Sequence, residues 1–406
     1  MFTRTFSSLK YRNYRLFFFG QLISLIGTWM QWTAQSWLVY KISNSKVLLG
    51  IIAACGSIPM LLLAIIGGMA ADRFSKRKIL LCTQTVMMIS AFVLGLLVTL
   101  DVVRVWHIAL LAVVSGIAAA FDMPTRQAFV NEMIEGDDLM NAIGLNSSIF
   151  NAARIVGPAV AGLIMAELTI GLCFILNSIS FLAVIIGLLM MKFKVEHISK
   201  LRMSMLNEIK EGFSYALKRK DLFWIFFSVA IFGIFGWSYA VMIPAFARDV
   251  LAVTEKGYGF MLTAGGVGAL FAALSVATIG KLTYSKLMLI GGMIIFSLAV
   301  VVFAYSQNYY LSLAMLLVAA YGITGFFATA NSYVQGSVEN NMRGRVMGIW
   351  SFVFGGMMPL GSLQIGFVGE KLGPQFAVTL GAIICFFTVI FLGYNLYKNE
   401  PKKIST

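Results

Sequence analysis

The chain has 406 residues, of which 59% are hydrophobic and only 12% are charged. A soluble domain carries about 25% charged residues, so this composition excludes an ordinary soluble protein and indicates an integral membrane protein. The formal net charge is +14 at pH 7, but the basic residues are spread over loops that flank apolar segments. This distribution predicts membrane orientation and gives no reason to expect a nucleic-acid partner.

The cysteines and histidines exclude two further classes of protein. Cys55, Cys82, Cys173 and Cys385 each stand alone in an apolar segment, and the two histidines are far apart in the sequence. This predicts neither a disulfide framework nor a metal site. The sequence also has no phosphate-binding Gly-x-x-x-x-Gly-Lys loop and no arrangement typical of a hydrolase. We therefore expect no cofactor, no metal and no enzymatic activity.

Twelve apolar stretches are long enough to cross a membrane, which takes about 20 residues each. They cover approximately residues 14–40, 47–70, 79–100, 105–131, 140–166, 169–191, 222–246, 257–279, 287–305, 309–337, 345–369 and 374–397. The first stretch follows a basic N-terminus but is too long for a signal peptide, so we interpret it as an uncleaved span. Short loops rich in Lys and Arg stay in the cytoplasm, which places both termini inside.

The first span is unusually polar for a membrane helix, because Gln31, Trp32 and Gln35 lie within it. Amide side chains are poorly placed against lipid, whereas an aromatic wall with scattered amides suits a large amphipathic ligand. The alternative is that the aromatic residues anchor the helix at the membrane surface.

A short basic loop with the sequence GGMAADRFSKRK joins the second and third spans, at residues 67–78. A turn this charged cannot lie in hydrocarbon, and its Lys and Arg residues mark the cytoplasmic surface. Its pattern resembles the signature of the loop between spans 2 and 3 in the major facilitator superfamily. The residues that carry this resemblance are Gly68, Asp72, Arg73, Lys76 and Arg77, while Ser75 stands where the family usually has a second glycine. An ordinary positive-inside loop is the alternative.

The resemblance implies an all-α integral membrane protein with twelve transmembrane helices in two six-helix pseudo-repeats, the major facilitator fold. Residues 1–191 would form an N-terminal bundle, residues 192–221 a cytoplasmic linker and residues 222–406 a C-terminal bundle. It also implies that spans 1, 4, 7 and 10 line a central cavity.

The basic loop is also a candidate conformational latch. The resemblance implies that the inner end of span 2 meets that of span 11, which begins near Gly344. Asp72 would then cap the N-terminus of span 11, whose free N–H groups carry a partial positive charge. The alternative is that Asp72 only balances Arg73 and Lys76 at the surface, where a salt bridge contributes little.

Ionisable residues within a span are rare and usually functional, and this chain has Asp122 and Arg126 in the fourth span and Arg154 in the fifth. Asp122 and Arg126 are four residues apart, so one helix face carries both and an ion pair is expected. Asp122 is the only carboxylate well inside a span, which makes it the candidate proton carrier; a permanently ionised structural salt bridge is the alternative. The partner of Arg154 is either Asp122 or a substrate anion.

The fifth span contains a second motif, GPAVAG, with Gly157, Pro158 and Gly162. It resembles the antiporter signature of the family's fifth span, with Ala161 in place of the first of two final glycines. Together with the fourth span, it is similar to the branch that contains siderophore exporters of the enterobactin type and macrolide efflux proteins. The resemblance covers nearly the whole chain and implies export without naming a substrate.

A hydrophilic segment, residues 192–221, divides the chain into two halves of six spans. Its apolar residues recur at helical spacing, which predicts an amphipathic helix on the inner membrane surface. The halves are weakly repeated, since Gly157 and Gly162 align with Gly361 and Gly366. Two parallel repeats with a substrate site between them near the membrane midplane are expected of one class of transporter.

The tenth span supplies further polar and aromatic residues, Tyr321, Asn331 and Gln335. Because the resemblance implies that spans 1 and 10 both line the cavity, we expect these three to contact the solute together with the amides of the first span.

These observations predict a secondary active transporter of the bacterial inner (plasma) membrane that exports an organic solute, such as a drug or a siderophore, by alternating access. We expect proton antiport, a small-molecule substrate, a monomer in the lipid bilayer and both termini in the cytoplasm. An uptake symporter is one alternative, and a membrane receptor or scaffold that keeps the fold without transport is another. Polar groups in spans 1, 4 and 10 count against the scaffold because each is costly in lipid.

Overall fold

The computed structural model describes residues 6–134, 138–192, 205–279 and 285–398, which form helices and connecting turns without a strand. The first six long helices are α1 (Arg12–Ser43), α2 (Lys46–Arg73), α3 (Lys76–Thr99), α4 (Val105–Met133), α5 (Leu139–Glu167) and α6 (Ile170–Met190). The others are α7 (Met205–Lys218), α8 (Lys220–Val250), α9 (Glu255–Ile279), α10 (Ser285–Tyr305), α11 (Tyr309–Ser337), α12 (Asn340–Leu372) and α13 (Pro374–Lys398). A short turn of 3-10 helix, Ser7–Lys10, precedes α1.

Eleven of these helices, all except α1 and α7, are long and apolar enough to cross a membrane. Helix α1 has 32 residues, which is enough to cross, but amides such as Gln21, Gln31 and Gln35 lower its hydropathy. With α1, the described residues supply all twelve predicted spans, and α7 lies in the predicted linker. The helices run a few residues past the apolar stretches and end or begin at caps; Phe74 is the C-cap of α2, and Ser75 caps the beginning of α3.

Helix α8 is irregular along most of its length. Regular α-helix covers Lys220–Ile231 and the short piece Ile243–Ala245, and the remaining backbone forms π-helical and 3-10 turns. Pro244 has no N–H to donate, and Gly233 and Gly236 weaken the helix around them. The sequence predicts a plain span here, because hydropathy reports burial in lipid and not the regularity of the backbone.

The chain divides into two compact units. Unit 1 contains Met1–Leu201 and Ala247–Thr263, and unit 2 contains Arg202–Phe246 and Ala264–Thr406. The division therefore falls within α8 and again within α9, so that one segment from the second half of the sequence packs with the first six spans.

Within unit 1, α2 packs against α4, α1 packs against α5 and α6, and α3 packs against α4 and α6. A buried apolar cluster joins these helices at one end and includes Tyr14, Phe17, Phe129 and Leu188. This packing fixes α3, α4 and α5, which carry the ionisable residues, in one body.

Glycines bring the backbones of α2 and α4 into contact, as small residues do where membrane helices pack closely. A Cβ atom on Gly67 would meet the carbonyl oxygen of Ala120, and a Cβ atom on Gly116 would meet that of Gly56. Because Asp122 lies just after Ala120 on α4, this contact also helps to fix the position of the carboxylate.

Within unit 2, α10 packs against α11 and α13, and α12 packs against α7, α8 and α13. One close approach recurs in both units. A Cβ atom on Gly157 of α5 would lie 2.9 Å from the carbonyl oxygen of Ile26 in α1, and one on Gly361 of α12 would lie 3.0 Å from that of Gly233 in α8. Gly157 and Gly361 are the residues that align between the halves, so the shared contact agrees with two pseudo-repeats.

Candidate functional site

Asp122 lies near the middle of α4, and its side chain is only 5% exposed. Thr83 Oγ1 donates a hydrogen bond to Asp122 Oδ1 over 3.0 Å, and Gln84 Nε2 donates to the same oxygen over 2.8 Å. Arg126, one turn further along α4, forms an ion pair with Asp122 Oδ2. Donors from α3 and α4 therefore surround this carboxylate, and we call the four residues the Asp122 network.

The Asp122 network holds a negative charge inside a membrane-spanning helix. A buried charge is tolerated when it is paired and hydrogen-bonded, and both carboxylate oxygens of Asp122 have donors. The side chain of Arg126 is 27% exposed, so the network reaches the surface at its cationic end.

Arg154 lies near the middle of α5, where it meets aromatic residues of α1 and α5. Its guanidinium carbon is 5.8 Å from the centre of the Trp29 ring, which is a cation–π contact. The Trp29 ring also makes edge contacts with Trp32, at 5.0 Å between ring centres, and with Phe150, at 5.7 Å. We call these four residues the Arg154 cluster.

The surface beside the Arg154 cluster is open. The Trp32 and Phe150 side chains are 55% and 43% exposed, and the Arg154 side chain is partly exposed. On the preceding turns of α5, Ser147 is exposed and Asn151 is partly exposed. The buried face of the same helix carries apolar residues instead, namely Ala142, Leu145, Ile149 and Ala153.

The GPAVAG motif lies directly after the Arg154 cluster and is closely packed. Gly157 packs against Trp29, and a Cβ atom on Gly162 would lie 3.0 Å from the Cα atom of Gly259. Pro158 is buried within α5, and its carbonyl oxygen is 2.6 Å from where a Cβ atom on Gly259 would lie. The motif therefore packs closely against α1 and against the segment that contains Gly259.

The basic loop makes tight contacts at two of its residues and is exposed at others. Lys76 Nζ is 2.6 Å from Glu132 of α4, and Arg77 donates to the carbonyl oxygen of Leu189 over 2.9 Å. Asp72 and Arg73 are exposed. At the remaining two latch candidates, Gly68 and Gly344, an added Cβ atom would have open space around it.

Ser75 explains how the loop turns without the usual second glycine. Its φ angle is −55°, which any residue can adopt, and its hydroxyl caps α3 by accepting from the Lys78 N–H over 3.4 Å. Serine is a preferred helix N-cap, so this departure from the family pattern replaces a flexible residue by a capping one.

The predicted cavity residues have different environments. Gln31 accepts a hydrogen bond from Asn177 of α6 over 2.6 Å, which ties its amide to helix packing. Gln335 is exposed and donates to Asn331 over 2.6 Å. The others differ in exposure, with Trp32 exposed and Gln35 and Tyr321 partly buried.

The sequence prediction missed a contact that joins the end of α1 and the first residue of α2 to the segment Ala247–Thr263 of unit 1, which we call the α1 clasp. The Tyr40 hydroxyl donates to Asp249, and Lys46 Nζ is 3.7 Å from the same carboxylate. Trp37 Nε1 donates to Glu255 over 3.1 Å, and Lys41 Nζ is 3.6 Å from that carboxylate. The signal in the sequence was two acids, Asp249 and Glu255, close together at the ends of adjacent spans.

A second missed cluster lies in unit 2, where α7 meets α8. Arg219 Nη2 is 2.5 Å from Asp221 Oδ2, and Arg219 Nη1 donates to the carbonyl oxygen of Ser337 over 2.6 Å. The Asp221 carboxylate accepts from both Nε and Nη2 of Arg219, and this raises the pKa of Arg219 above its ordinary value. Nearby, Arg345 Nη1 is 2.5 Å from Glu211 of α7, so that the linker helix is tied to the beginning of α12.

The turn before α1 is tied to the beginning of α5. Lys10 Nζ is 2.5 Å from Asp138 Oδ2, and Ser7 Oγ donates to Asp138 Oδ1 over 2.5 Å. Hydrogen bonding to Lys10, and then to Ser7, holds the pKa of the Asp138 carboxyl below its ordinary value. The same bond raises the pKa of Lys10.

Among the residues that the structure describes, no group of His, Cys, Asp and Glu could hold a metal ion. The four cysteines are free thiols. The charged and aromatic residues described in unit 1 can bind and position charged groups.

Comparison with known proteins places this geometry in context. A family model described as a transmembrane secretion effector matches residues 3–404. The chain is 24% identical over 387 residues to the staphyloferrin A transporter of Staphylococcus aureus, covering 94% of this chain and 96% of that protein. It is 25% identical over 391 residues to the multidrug efflux pump Tap of Mycolicibacterium fortuitum, covering 93% and 95%. A solved structure of a mutant of the nucleoside transporter NupG has a TM-score of 0.75 at 15% identity, covering 95% of this chain and 99% of that one.

Proposed function

Because the chain belongs to the transmembrane secretion effector family of the major facilitator superfamily, we propose that it exports an organic solute by alternating access, driven by protons that move inward. The family and the similar proteins are membrane transporters rather than enzymes, and this chain is likewise a multi-pass membrane transporter. The names of the similar proteins, a staphyloferrin A transporter and a multidrug efflux pump, support a small organic solute.

The observation that carries this proposal is the open polar face of α5. Ser147 is exposed and Asn151 and Arg154 are partly exposed, and apolar residues such as Phe150 and Val156 are exposed beside them. The opposite face of the helix buries only apolar residues inside unit 1. A helix surface that faces lipid rarely carries a charged side chain near the middle of the bilayer, because such a charge is costly there. We therefore assign this face to a water-filled passage for the solute.

Proton coupling in this proposal is assigned to Asp122, with Arg126 as its charge partner. The Asp122 network is an intramembrane carboxylate whose donors come from two helices, α3 and α4. If these helices shift during transport, the donors separate and the carboxylate takes up a proton; when they close again, the proton leaves. The alternative is that the ion pair stays ionised and only holds α3 and α4 together.

Two contacts would bias the alternation. The α1 clasp joins two acids to two lysines and two aromatic donors, and it would hold that end closed until the solute is released. At the opposite end of α2, Asp72 with Arg73, Lys76 and Arg77 would act as the latch, capping the beginning of α12 near Gly344. The charge–dipole contribution is about 0.3–1 kcal/mol, which biases a two-state equilibrium without locking it.

We further propose that both termini are cytoplasmic and that the protein is a monomer in the bacterial plasma membrane. The positive loops, including residues 73–78, support this orientation. Residues 1–191 and 222–406 would then act as the two bundles that move, joined by the linker at 192–221.

The rival functions differ in direction and in activity. An uptake symporter would use the same charged residues with the solute and protons moving together, and it would raise the internal concentration of the solute. A non-transporting receptor or scaffold would have no need of the Asp122 network or of the Arg154 cluster, and its loss would leave solute levels unchanged.

A deletion strain tests the proposal. We would first compare its growth with that of the parent strain on a panel of toxic compounds and under iron limitation. We would then measure accumulation of the compound that distinguishes them, with and without an uncoupler. We expect the deletion strain and the uncoupled parent to accumulate more of it. Lower accumulation in the deletion strain would indicate uptake, and equal accumulation would reject transport of that compound.

The Asp122→Asn variant tests the coupling. We expect it to reach the membrane at the parent level but to lose the uncoupler-sensitive part of export. Asp101→Asn is a matched control, because Asp101 is an exposed acid in the turn between α3 and α4. Normal uphill export in Asp122→Asn would remove Asp122 from the mechanism.

A further inference from the structure

The Arg154 cluster combines a cation with an open aromatic surface at the middle of two packed helices. Trp29 is at the centre of the cluster and contacts Trp32, Phe150 and Arg154 at distances of 5.0 to 5.8 Å. The outer two rings are about half exposed. A membrane protein that only needed to pack α1 against α5 would have no need of a charged group here.

The chemistry of the cluster selects the charge of its ligand. A guanidinium group has five N–H donors in a fixed plane and binds a carboxylate through two parallel hydrogen bonds. The Arg154 guanidinium carbon lies 5.8 Å from the centre of the Trp29 ring, a cation–π contact that helps to hold the group beside the aromatic surface. Asn151, one turn earlier on α5 and partly exposed, supplies an amide on the approach to this group.

The aromatic residues select the shape of the ligand. Trp32 and Phe150 expose flat apolar surface on either side of Trp29, and aromatic rings prefer to pack against other rings in offset or edge-on geometry. A ligand that satisfies both parts carries a carboxylate or a similar anionic group next to a flat ring.

We infer that the Arg154 cluster is the binding site for the exported solute and that this solute is an organic anion with an aromatic or other flat apolar part. This inference rests on the proposed export function and names the substrate class for it. Arg154 contacts the anionic group, and Trp32 and Phe150 contact the ring.

The binding experiment uses two probes that share one fluorophore and differ in charge. Dansylglycine carries a carboxylate, and its amide is neutral. Binding to the purified full-length protein in detergent is followed by energy transfer from tryptophan to the dansyl group. We expect the parent to bind dansylglycine at least about tenfold more tightly than the amide, because hydrogen bonds between charged groups contribute that much.

Four variants assign the preference to the cluster. Arg154→Gln should bring the two probes to equal affinity, and Arg154→Lys should keep part of the preference because it keeps the charge. Trp32→Ala should weaken both probes by a similar factor. Its matched control is Trp106→Ala, since the Trp106 side chain is 58% exposed at the beginning of α4 and should leave both affinities unchanged.

Several outcomes would overturn the inference. Equal affinity of the two probes for the parent would do so, as would a preference for dansylglycine that survives in Arg154→Gln. If Arg154→Gln does not fold, the Trp32→Ala variant tests the site instead. An unchanged affinity for dansylglycine in that variant rejects the site. A parent that exports in cells but binds both probes equally rejects the inference and leaves the export function standing. A clear anion preference in a protein that exports nothing supports the site and rejects export.

Discussion

Two intramembrane charges in unit 1 differ in their surroundings. Asp122 is 5% exposed and accepts hydrogen bonds from Thr83, Gln84 and Arg126. Arg154 lies over the Trp29 ring on a helix face that is open to the surface. A charge enclosed by donors from two helices ties those helices together. A charge beside an open aromatic surface can meet a ligand while the helices stay in place.

The two charges therefore have different environments, which the sequence alone could not distinguish. From the sequence, Arg154 had two candidate partners, Asp122 or a substrate anion. The structure supplies Asp122 with donors from its own helix and from α3, and it places the Arg154 guanidinium over the Trp29 ring. If the contacts of Asp122 hold the enclosed charge in place, removing them should lower the free energy of unfolding.

The largest expected effect follows from removing the enclosed carboxylate. Asp122→Ala leaves Arg126 without its ion-pair partner in a partly buried position. We expect the free energy of unfolding to fall by about 3–5 kcal/mol, measured by thermal unfolding of the purified protein in detergent. Replacing both residues, with Asp122→Ala and Arg126→Met, should restore part of this loss. A double variant that is less stable than Asp122→Ala would show that the pair is not the reason for the loss.

A smaller effect is expected from the hydroxyl donor on α3. Thr83→Val keeps the shape of the side chain but removes the hydrogen bond to Asp122, so we expect a loss of about 1.5–3 kcal/mol in the free energy of unfolding. Thr85→Val is the matched control, because Thr85 donates only to the carbonyl oxygen of Leu81 in its own helix. Equal losses in the two variants would mean that the bond to Asp122 contributes nothing specific.

The packing behind Asp122 can be tested with two adjacent glycines. A Cβ atom on Gly67 collides with the backbone of α4, whereas one on Gly68 meets nothing within 4 Å. Gly67→Ala should therefore cost about 1–3 kcal/mol through overpacking, and Gly68→Ala should be neutral or slightly stabilising. Equal unfolding temperatures for Gly67→Ala and Gly68→Ala would contradict this difference in packing.

The smallest effect concerns the exposed acid of the basic loop. Asp72→Asn should shift the protein towards the inward-open state by a factor of several, because the latch contributes only about 0.3–1 kcal/mol. A single cysteine at Met69, in a background without the four native cysteines, would report this shift as faster labelling from the inner side. Unchanged labelling would leave the loop as a topogenic signal alone.

The sequence predicted the features that depend on the residues of a single helix. The twelve spans followed from runs of apolar residues, and the Asp122–Arg126 pair from their spacing of one helical turn. Thr83 and Gln84 could not be found in this way, because they reach Asp122 from another helix and many hydroxyl and amide residues lie in these spans. The hydrogen bond between Gln31 and Asn177 was hidden for the same reason, because it depends on how α1 packs against α6.

Contacts between distant segments set the limit of the prediction. The α1 clasp joins Tyr40 and Lys46 to Asp249, although Tyr40 and Asp249 are 209 residues apart in the sequence. The two acids near the ends of α8 and α9 were visible in the sequence, but nothing in it specified that their segment packs against α1. The irregular backbone of α8 was equally hidden, because apolar residues predict a span whether its helix is regular or not.

The most direct test of the central claim is transport in everted membrane vesicles, using the solute that the growth screen identifies. The measurement separates energised accumulation from exchange of labelled for unlabelled solute at equal concentration. We predict that Asp122→Asn loses accumulation but keeps exchange, and that Arg154→Gln loses both because the solute no longer binds. Accumulation at the parent level in Asp122→Asn, or exchange at the parent level in Arg154→Gln, would contradict the division of roles between the enclosed charge and the open one.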